Sequence, residues 1–219
     1  MAVAGGPNIV EDGLVLALDA ANKKSYPGSG TMWNDLITNS TGSIANGPVY
    51  SSANGGTIIF DGSNDYAYTG FVQPTNTSSD SFTWAIWIYL GANPPINAVI
   101  FGNRVSGTGG TQWIKITPTN FERIGYSNAP KIAYTVPTQE WRNLTIVKNQ
   151  TNLQYYSNGT LVGTQTHTTT VDSTPVYVGG DVTTENSQII FGSANIYNRA
   201  LTASEVLQNY NATKGRFGL

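Results

Sequence analysis

The chain has 219 residues, no cysteine and a net charge of −2, and only 11% of its residues are charged. This length suits one large β-domain, and the lack of cysteine excludes disulfide bonds, thiolate metal sites and a cysteine nucleophile. The low charge offers no basic surface for nucleic acid and no polybasic patch for a membrane. No apolar run approaches the roughly 18 residues of a membrane span. We expect no secretory signal, because the N-terminus lacks a basic start and an apolar segment.

Short runs of β-branched and aromatic residues, separated by Gly, Pro and Asn turn signals, predict many short strands. After the middle of the chain they recur about every ten residues, which is typical of an all-β sandwich. Residues 21–55 are predicted to form a long polar excursion that Trp33 holds on the core. The predicted strands are residues 13–20, 56–60, 66–69, 81–90, 98–101, 112–116, 121–126, 131–136, 141–148, 153–156, 161–165, 175–178, 189–191 and 196–197.

The most apolar stretch of the sequence, residues 81–90, is predicted to be the central strand of the fold. It holds two Trp, one Phe and one Tyr among β-branched residues, and these types suit a pleated sheet better than a helix. Alternate side chains of a strand face opposite sides, and here both sets are largely apolar. The strand is therefore expected to be covered on both faces, with a second sheet packed on one of them.

Two polar segments predict tight turns between consecutive strands. The Asn158-Gly159 pair is a strong signal for a two-residue hairpin turn. Residues 61–65, which are all Asp, Gly, Ser or Asn, separate two short strands in the same way. We therefore expect a tight polar turn to join the two strands in each case.

One helix is predicted near the C-terminus. Thr202 and Glu205 have the spacing of a capping box, in which each residue's side chain accepts a hydrogen bond from the other's backbone N–H. The helix should cover residues 202–213 and pack on the edge of the sandwich. Together these signals predict an all-β fold, an antiparallel β-sandwich of the jelly-roll type with one short C-terminal helix. Residues 1–12 are expected to form an N-terminal arm and residues 13–219 a single domain.

Six short motifs carry a family resemblance: residues 60–66, 81–87, 141–147, 153–159, 178–180 and 196–201. Taken in this order, they resemble laminin-G-like domains of the concanavalin A-like lectin/glucanase superfamily. The two ends of the domain, residues 9–19 and 208–218, are similar to laminin-G-like domains in virion proteins of tailed bacteriophages. The resemblance covers about residues 13–214 and implies a lectin-like jelly roll.

The resemblance also implies a function and a location. It indicates a non-enzymatic phage virion protein, serving as a capsid decoration, fibre or tail accessory subunit that recognises a surface glycan or the host surface. The expected partners are other virion proteins, a host cell-surface glycan and further copies of the chain in a homo-oligomer, with no nucleic acid and no membrane insertion. The alternatives are a free carbohydrate-binding lectin and a glycoside hydrolase.

The distribution of acidic residues predicts no enzyme. Glucanases of the superfamily carry a Glu-X-Asp-X-X-Glu cluster, which places two carboxylates on one face of a strand as acid and nucleophile. This sequence contains no such cluster. The only histidine, His167, lies in a polar segment and is expected to be solvated. We therefore predict no catalytic residues.

A second question is whether the chain binds a metal. Asp61, Asn64 and Asp65 form an oxygen-rich turn, and Asp181 follows the predicted strand at residues 175–178. Calcium prefers oxygen ligands of this kind, and the family resemblance makes calcium the one cofactor to consider. The alternative, which we favour, is that these residues form Asx turns, in which a side-chain oxygen accepts a backbone N–H.

A ligand site is predicted in the segment between residues 102 and 134. Its rings offer apolar faces to a sugar, and its amide and guanidinium groups can bond to sugar hydroxyls. Glycine-rich loops on a rigid scaffold also tend to carry function. The alternative is that these rings pack on the sandwich or on a neighbouring subunit. The candidate residues are Trp113, Tyr126, Tyr134, Arg104, Arg123, Asn103 and Gln112.

Overall fold

The computed structural model describes residues 8–73, 79–92, 98–103, 113–123, 131–167, 173–180 and 186–219. Short 3-10 turns lie at Ala53–Gly55 and Lys214–Phe217. The described part of the chain contains no helix with the length and apolar character needed to cross a membrane. The strands and the helix are β1 (Leu14–Asp19), β2 (Met32–Asn34), β3 (Thr41–Ala45), β4 (Val49–Ser51), β5 (Thr57–Asp61), β6 (Tyr66–Gln73), β7 (Phe82–Leu90), β8 (Ala98–Gly102), β9 (Trp113–Ile116), β10 (Phe121–Arg123), β11 (Lys131–Ile132), β12 (Trp141–Asn149), β13 (Asn152–Ser157), β14 (Thr160–Thr166), β15 (Thr174–Val178), β16 (Gln188–Tyr197) and α1 (Ala203–Thr213).

The strands form two antiparallel sheets. In sheet A the order is β14-β13-β12-β7-β16-β5-β4, and β1 pairs with the second half of β16. In sheet B the order is β11-β10-β9-β8-β15-β6-β3-β2. One large cluster of buried side chains from both sheets fills the space between them. The predicted antiparallel sandwich of the jelly-roll type, with one short C-terminal helix, is therefore confirmed.

Strand β7 is the centre of sheet A, as predicted. Phe82, Trp84 and Ile86 point into the core between the sheets, and Trp84 is only 2% exposed. The opposite face of β7 is also covered, but by the C-terminal segment rather than by a sheet. Trp87 stacks on Tyr210 and on Phe217, with ring centroids 5.7 and 4.3 Å apart. A strand that is apolar on both faces therefore predicts that other elements pack on both of them. It does not identify those elements.

The helix α1 lies on the outer face of sheet A, and its predicted place at the edge of the sandwich is wrong. A second apolar cluster joins Val206 of the helix to Val147, Tyr156 and Tyr197, which come from three strands of the sheet. These strand residues alternate with side chains of the main core, so they occupy the outer face. The sequence shows an amphipathic helix but does not show which apolar surface receives it.

The predicted capping box is confirmed. The Glu205 N–H donates to the Thr202 hydroxyl oxygen at 3.3 Å, and the Thr202 N–H donates to the Glu205 carboxylate at 2.8 Å. Arg199 pairs with the same carboxylate at 2.6 Å. These bonds satisfy backbone donors that are otherwise unpaired at the start of a helix. The capping box therefore fixes the point at which the chain turns from β16 into α1.

The two predicted turns have different outcomes. Strands β13 and β14 pair as a hairpin through Asn158 and Gly159, both of which have positive φ, as a tight two-residue turn requires. The turn at residues 61–65 instead joins β5 of sheet A to β6 of sheet B. The predicted tight polar turn between two strands is therefore present, but the two strands belong to different sheets. Polar turn residues set a sharp reversal of the chain, but they do not specify the sheet to which the next strand belongs.

The C-terminal segment is held in place by Arg216. Its guanidinium donates to the Asp19 carboxylate at 2.6 Å and to the Asn54 carbonyl at 2.7 Å. Phe217 covers Trp87 and Trp141 from outside the sheet. The sequence motif at the end of the chain is thus explained by packing on sheet A.

Candidate functional site

The predicted ligand site is described only in part. Arg104, Gln112 and Tyr126 lie outside the described residues, and Trp113 and Arg123 are described only by their places in β9 and β10. Neither of the two remaining candidates is fully exposed. Asn103 is fully buried, and Tyr134 is half-buried against the main core. The ligand site as predicted therefore stays a prediction.

A cluster of three tyrosines lies on the outer face of sheet B. Tyr66 and Tyr68 belong to β6, and Tyr177 belongs to the neighbouring strand β15. The Tyr177 ring centroid is 6.0 Å from that of Tyr66 and 5.7 Å from that of Tyr68. The residues that alternate with them, Ala67 and Val176 among them, are buried in the main core. The three half-buried rings, which we call the tyrosine surface, therefore face away from the core.

Backbone pairing extends the tyrosine surface across sheet B. Tyr68 pairs with Ser43 on one side and with Tyr177 on the other. Tyr177 in turn pairs with Gly102, and Gly102 pairs with Trp113. Residues directly opposite each other in antiparallel strands share a face of the sheet. One predicted ligand residue, Trp113, therefore occupies the same cross-strand row as the tyrosines.

The tyrosine surface has the chemistry that carbohydrate binding requires. Within the described residues, none of the three hydroxyls has a hydrogen-bond partner. Burial raises the pKa of Tyr177, and the neighbouring Tyr68 and Tyr66 raise it further. The Tyr177 phenol therefore stays protonated and remains a hydrogen-bond donor at neutral pH. A group of rings with available hydroxyls offers apolar faces and polar tips together.

Sequence reasoning missed the tyrosine surface, although part of its signal was present. The alternation Tyr66-Ala67-Tyr68 places both tyrosines on one face of a strand. Tyr177 lies far away in the sequence, and only the pairing of β6 with β15 brings it to the others. No local pattern specifies that pairing.

The oxygen-rich turn at residues 61–65 is held by its own backbone. The Asp61 carboxylate accepts hydrogen bonds from the N–H groups of Ser63 at 2.7 Å and Asn64 at 3.4 Å. The Asp65 carboxylate accepts one from the Asp61 N–H at 3.0 Å. Burial raises the pKa of Asp65; the Asp61 N–H bond opposes this shift, while the Asp61 charge adds to it. These bonds fit the Asx-turn alternative.

Calcium binding at this turn stays a prediction. Asp181 lies outside the described residues. Among the described residues, no group of three histidine, aspartate or glutamate side chains is arranged to hold a metal ion. The Asp61 and Asp65 oxygens that could serve as ligands already accept backbone hydrogen bonds.

The only histidine is not solvated as expected. His167 is 4% exposed, and its backbone N–H donates to the Thr151 carbonyl at 2.7 Å. It follows directly after the paired end of the β13–β14 hairpin, where Asn152 is opposite Thr166. A polar sequence around a residue therefore did not indicate exposure, because the hairpin brings His167 back onto the domain.

Comparison with known proteins gives a family match and a set of similar folds. The model of the concanavalin A-like lectin/glucanases superfamily matches residues 61–207. A search of curated proteins finds no significant match. Among solved structures, a Trypanosoma rangeli sialidase with 2,3-difluorosialic acid as a covalent intermediate is similar at a TM-score of 0.71 and 17% identity. The similarity covers 96% of this chain and 35% of the sialidase.

Two toxin domains are similar to the same degree. The binding domain of Paraclostridial Mosquitocidal Protein 1 has a TM-score of 0.70 at 19% identity, covering 91% of this chain and 52% of that domain. The binding domain of botulinum neurotoxin serotype G has a TM-score of 0.67 at 15% identity, covering 90% of this chain and 50% of that domain. The chain thus spans about a third of the sialidases and about half of the toxin domains. At these identities the likeness establishes the fold.

These comparisons correct two predictions. The prediction of a non-enzymatic phage virion protein is wrong, because the solved structures with a similar fold include sialidases and toxin binding domains. The prediction of no enzyme is wrong as well, because sialidases are glycoside hydrolases. It relied on a missing linear motif, whereas a fold can bring carboxylates together from separate strands. The partners, the location in a virion and homo-oligomer formation are not tested and stay predictions.

Proposed function

Because the chain belongs to the concanavalin A-like lectin/glucanases superfamily, we propose that it is a carbohydrate-recognition domain that binds glycan through the tyrosine surface. The likeness to structures named as toxin binding domains and as a sialidase bound to sialic acid supports a role in holding sugar. Under this proposal the domain brings a glycan to a glycoside hydrolase or a toxin-like protein.

The observation that carries the proposal is the geometry of the tyrosine surface. The rings of Tyr66 and Tyr68 lie 6.0 and 5.7 Å from that of Tyr177 on a sheet face, and the three hydroxyls have no partner among the described residues. A pyranose presents C–H groups on its ring faces and hydroxyls around its rim. Rings of the protein pack against the former, and phenol groups bond to the latter. A rigid sheet also holds the rings in position before the sugar arrives, which lowers the entropy cost of binding.

The test is binding to an immobilised panel of neutral and sialylated oligosaccharides. We expect the parent chain to bind at least one class and the double variant Tyr68→Ala with Tyr177→Ala to lose at least tenfold in affinity. The matched control is Leu161→Ala, which removes an exposed apolar side chain from β14 of the other sheet. A double variant that stays folded and binds as the parent does would contradict the proposal.

Glycoside hydrolysis by the chain itself is a second candidate function, favoured by the likeness to sialidases. Asp61 and Asp65 lie in the same turn, and burial raises the pKa of Asp65, which is the direction that a general acid in glycoside hydrolysis requires. Release of 4-methylumbelliferone from its sialic acid glycoside measures this activity. We expect Asp65→Asn to abolish any release, and a parent chain with no release above buffer excludes this candidate for that substrate.

A further inference from the structure

Within the described residues, the outer face of sheet A is covered along only part of its length. Phe217 stacks on Trp87 and on Trp141, and it marks the end of the part that the C-terminal segment covers. Beyond Phe217, backbone pairing aligns one residue from each of five strands in a single row. These residues are Val49, Ile59, Ile190, Tyr89 and Trp141, from β4, β5, β16, β7 and β12 in that order.

A groove of about 290 Å³ opens on this row. Gly91 widens it, because a Cβ added there would meet no atom of the described residues within 4 Å. The groove lies at the lower end of the roughly 300–1,000 Å³ typical of small-molecule pockets, so it suits one sugar ring rather than an oligosaccharide. Its lining includes Ile59, Tyr89, Gly91, Ala92, Gln188 and Ile190.

The groove combines apolar walls with two polar groups at its rim. Within the described residues, neither the Tyr89 hydroxyl nor the Gln188 side-chain amide has a hydrogen-bond partner. The Tyr89 ring and the Ile190 side chain supply the apolar surface. An aromatic ring beside an amide is suited to a pyranose, which has apolar C–H faces and hydroxyls that both donate and accept.

The charges at the groove favour a neutral ligand. All the side chains that line it in the described part of the chain are uncharged. A carboxylate such as that of sialic acid would lose water there without gaining an Arg or Lys partner, which is costly. The groove therefore selects against acidic sugars.

We propose that this groove binds the pyranose ring of a neutral sugar residue, as a second carbohydrate site on the sheet opposite the tyrosine surface. The inference goes beyond the proposed function and rests on the groove alone, so either site can fail without the other. Two sites on opposite sheets allow one domain to hold two glycan chains, or two residues of separate branches, at once. Such bivalent binding raises the overall affinity for a dense glycan surface well above that of either site.

The experiment follows protein amide and tryptophan indole signals by NMR during titration with methyl α-glucoside, methyl α-galactoside and methyl N-acetyl-β-glucosaminide. N-acetylneuraminic acid serves as the acidic probe. We expect saturable shifts of the Gly91 amide and the Trp141 indole with at least one neutral probe. The variant Gly91→Leu fills the groove and should weaken this binding at least tenfold. The matched control Gly215→Leu adds the same side chain at another glycine with open space around it and should leave binding unchanged.

The next four outcomes would each count against the proposal. The absence of saturable shifts with every neutral probe would overturn it, and so would equal binding of N-acetylneuraminic acid. A Gly91→Leu variant that binds like the parent places the sugar elsewhere. If Gly91→Leu instead converts a dimer to a monomer in sedimentation, the groove is covered by a second copy of the chain. Loss of binding in the Tyr68→Ala, Tyr177→Ala variant with the Gly91 shifts retained separates this site from the tyrosine surface.

Discussion

The outer faces of the two sheets carry similar residues but end in different environments. On sheet A, the outward residues Val147, Tyr156 and Tyr197 are buried under α1. On sheet B, the outward Tyr68 and Tyr177 stay half-buried, with their rings packed mainly on each other. Both sets alternate with core residues in the same way along their strands. An outward aromatic residue is therefore structural if another element covers it and can be functional if nothing does. The sequence of its own strand does not determine which of the two applies.

The largest effect should come from removing the ring at the centre of the covered face. Trp87 stacks on two rings, and its indole N–H donates to the Thr213 hydroxyl at 2.8 Å. We expect Trp87→Ala to lower the free energy of unfolding by about 3–5 kcal/mol, as for a large buried aromatic side chain. Urea denaturation measures this. A loss below about 1 kcal/mol would show that the C-terminal segment is not part of the stable fold.

The next effect sharpens the boundary between the covered and open parts of sheet A. Phe217 is 5% exposed and contacts both Trp87 and Trp141. We expect Phe217→Ala to cost about 3 kcal/mol and to shift tryptophan fluorescence to longer wavelength, because two indoles gain contact with water. Phe217→Leu, which keeps an apolar side chain, is the matched control and should cost about half as much. Unchanged fluorescence would contradict the role of Phe217 as a cover.

The capping box that fixes α1 on sheet A predicts a dependence on pH. The hydrogen bond from Arg199, opposed in part by burial and helped by Thr202, lowers the pKa of Glu205 from 4.5 to about 2. A group whose folded pKa is depressed stabilises the protein above its unfolded pKa, and that contribution disappears as the pH falls from about 4.5 through about 2.

Because the Glu205 carboxylate is partly exposed, we expect Glu205→Gln to cost only about 1 kcal/mol at pH 7. The difference from the parent should be nearly gone at about pH 2, the folded-state pKa of Glu205, and should vanish below it as the carboxyl becomes fully protonated. Thermal unfolding over a pH series measures this. Glu11→Gln, at an exposed carboxylate near the start of the chain, is the control and should show no such trend. A cost for Glu205→Gln that persists at pH 2 would mean that the ion pair is not its cause.

The same comparison explains how much the sequence could predict. Local signals were sufficient to predict strand β7 with its two apolar faces, the Asn158-Gly159 hairpin and the Thr202 capping box. Each of these features depends on residues that are close together in the sequence. Local signals were not sufficient to show that the turn at residues 61–65 crosses between sheets, since this crossing depends on the partners that β5 and β6 find elsewhere.

The candidate site shows the same limit. Its rings come from β6 and β15, which are distant in the sequence, so no spacing could have joined Tyr68 to Tyr177. The resemblance to a family identified the fold correctly but led to a virion function that the comparisons overturn. The residues at the end of the chain that suggested it, among them Arg216 and Phe217, are explained by packing on sheet A.

The smallest effect on stability should come from the uncovered tyrosines, and it separates the two faces most clearly. Tyr68 contacts Tyr177 but no helix or tail covers it within the described residues. We expect Tyr68→Ala to cost about 0.5–1 kcal/mol, the size of a cross-strand aromatic pair, while it weakens glycan binding at least tenfold. Tyr68→Phe keeps the ring and should retain the free energy of unfolding. Any loss of glycan affinity in this variant then measures the contribution of the Tyr68 hydroxyl. A cost of 3 kcal/mol or more, as for Trp87, would mean that the tyrosine surface is covered like sheet A, and it could not then serve as the binding face.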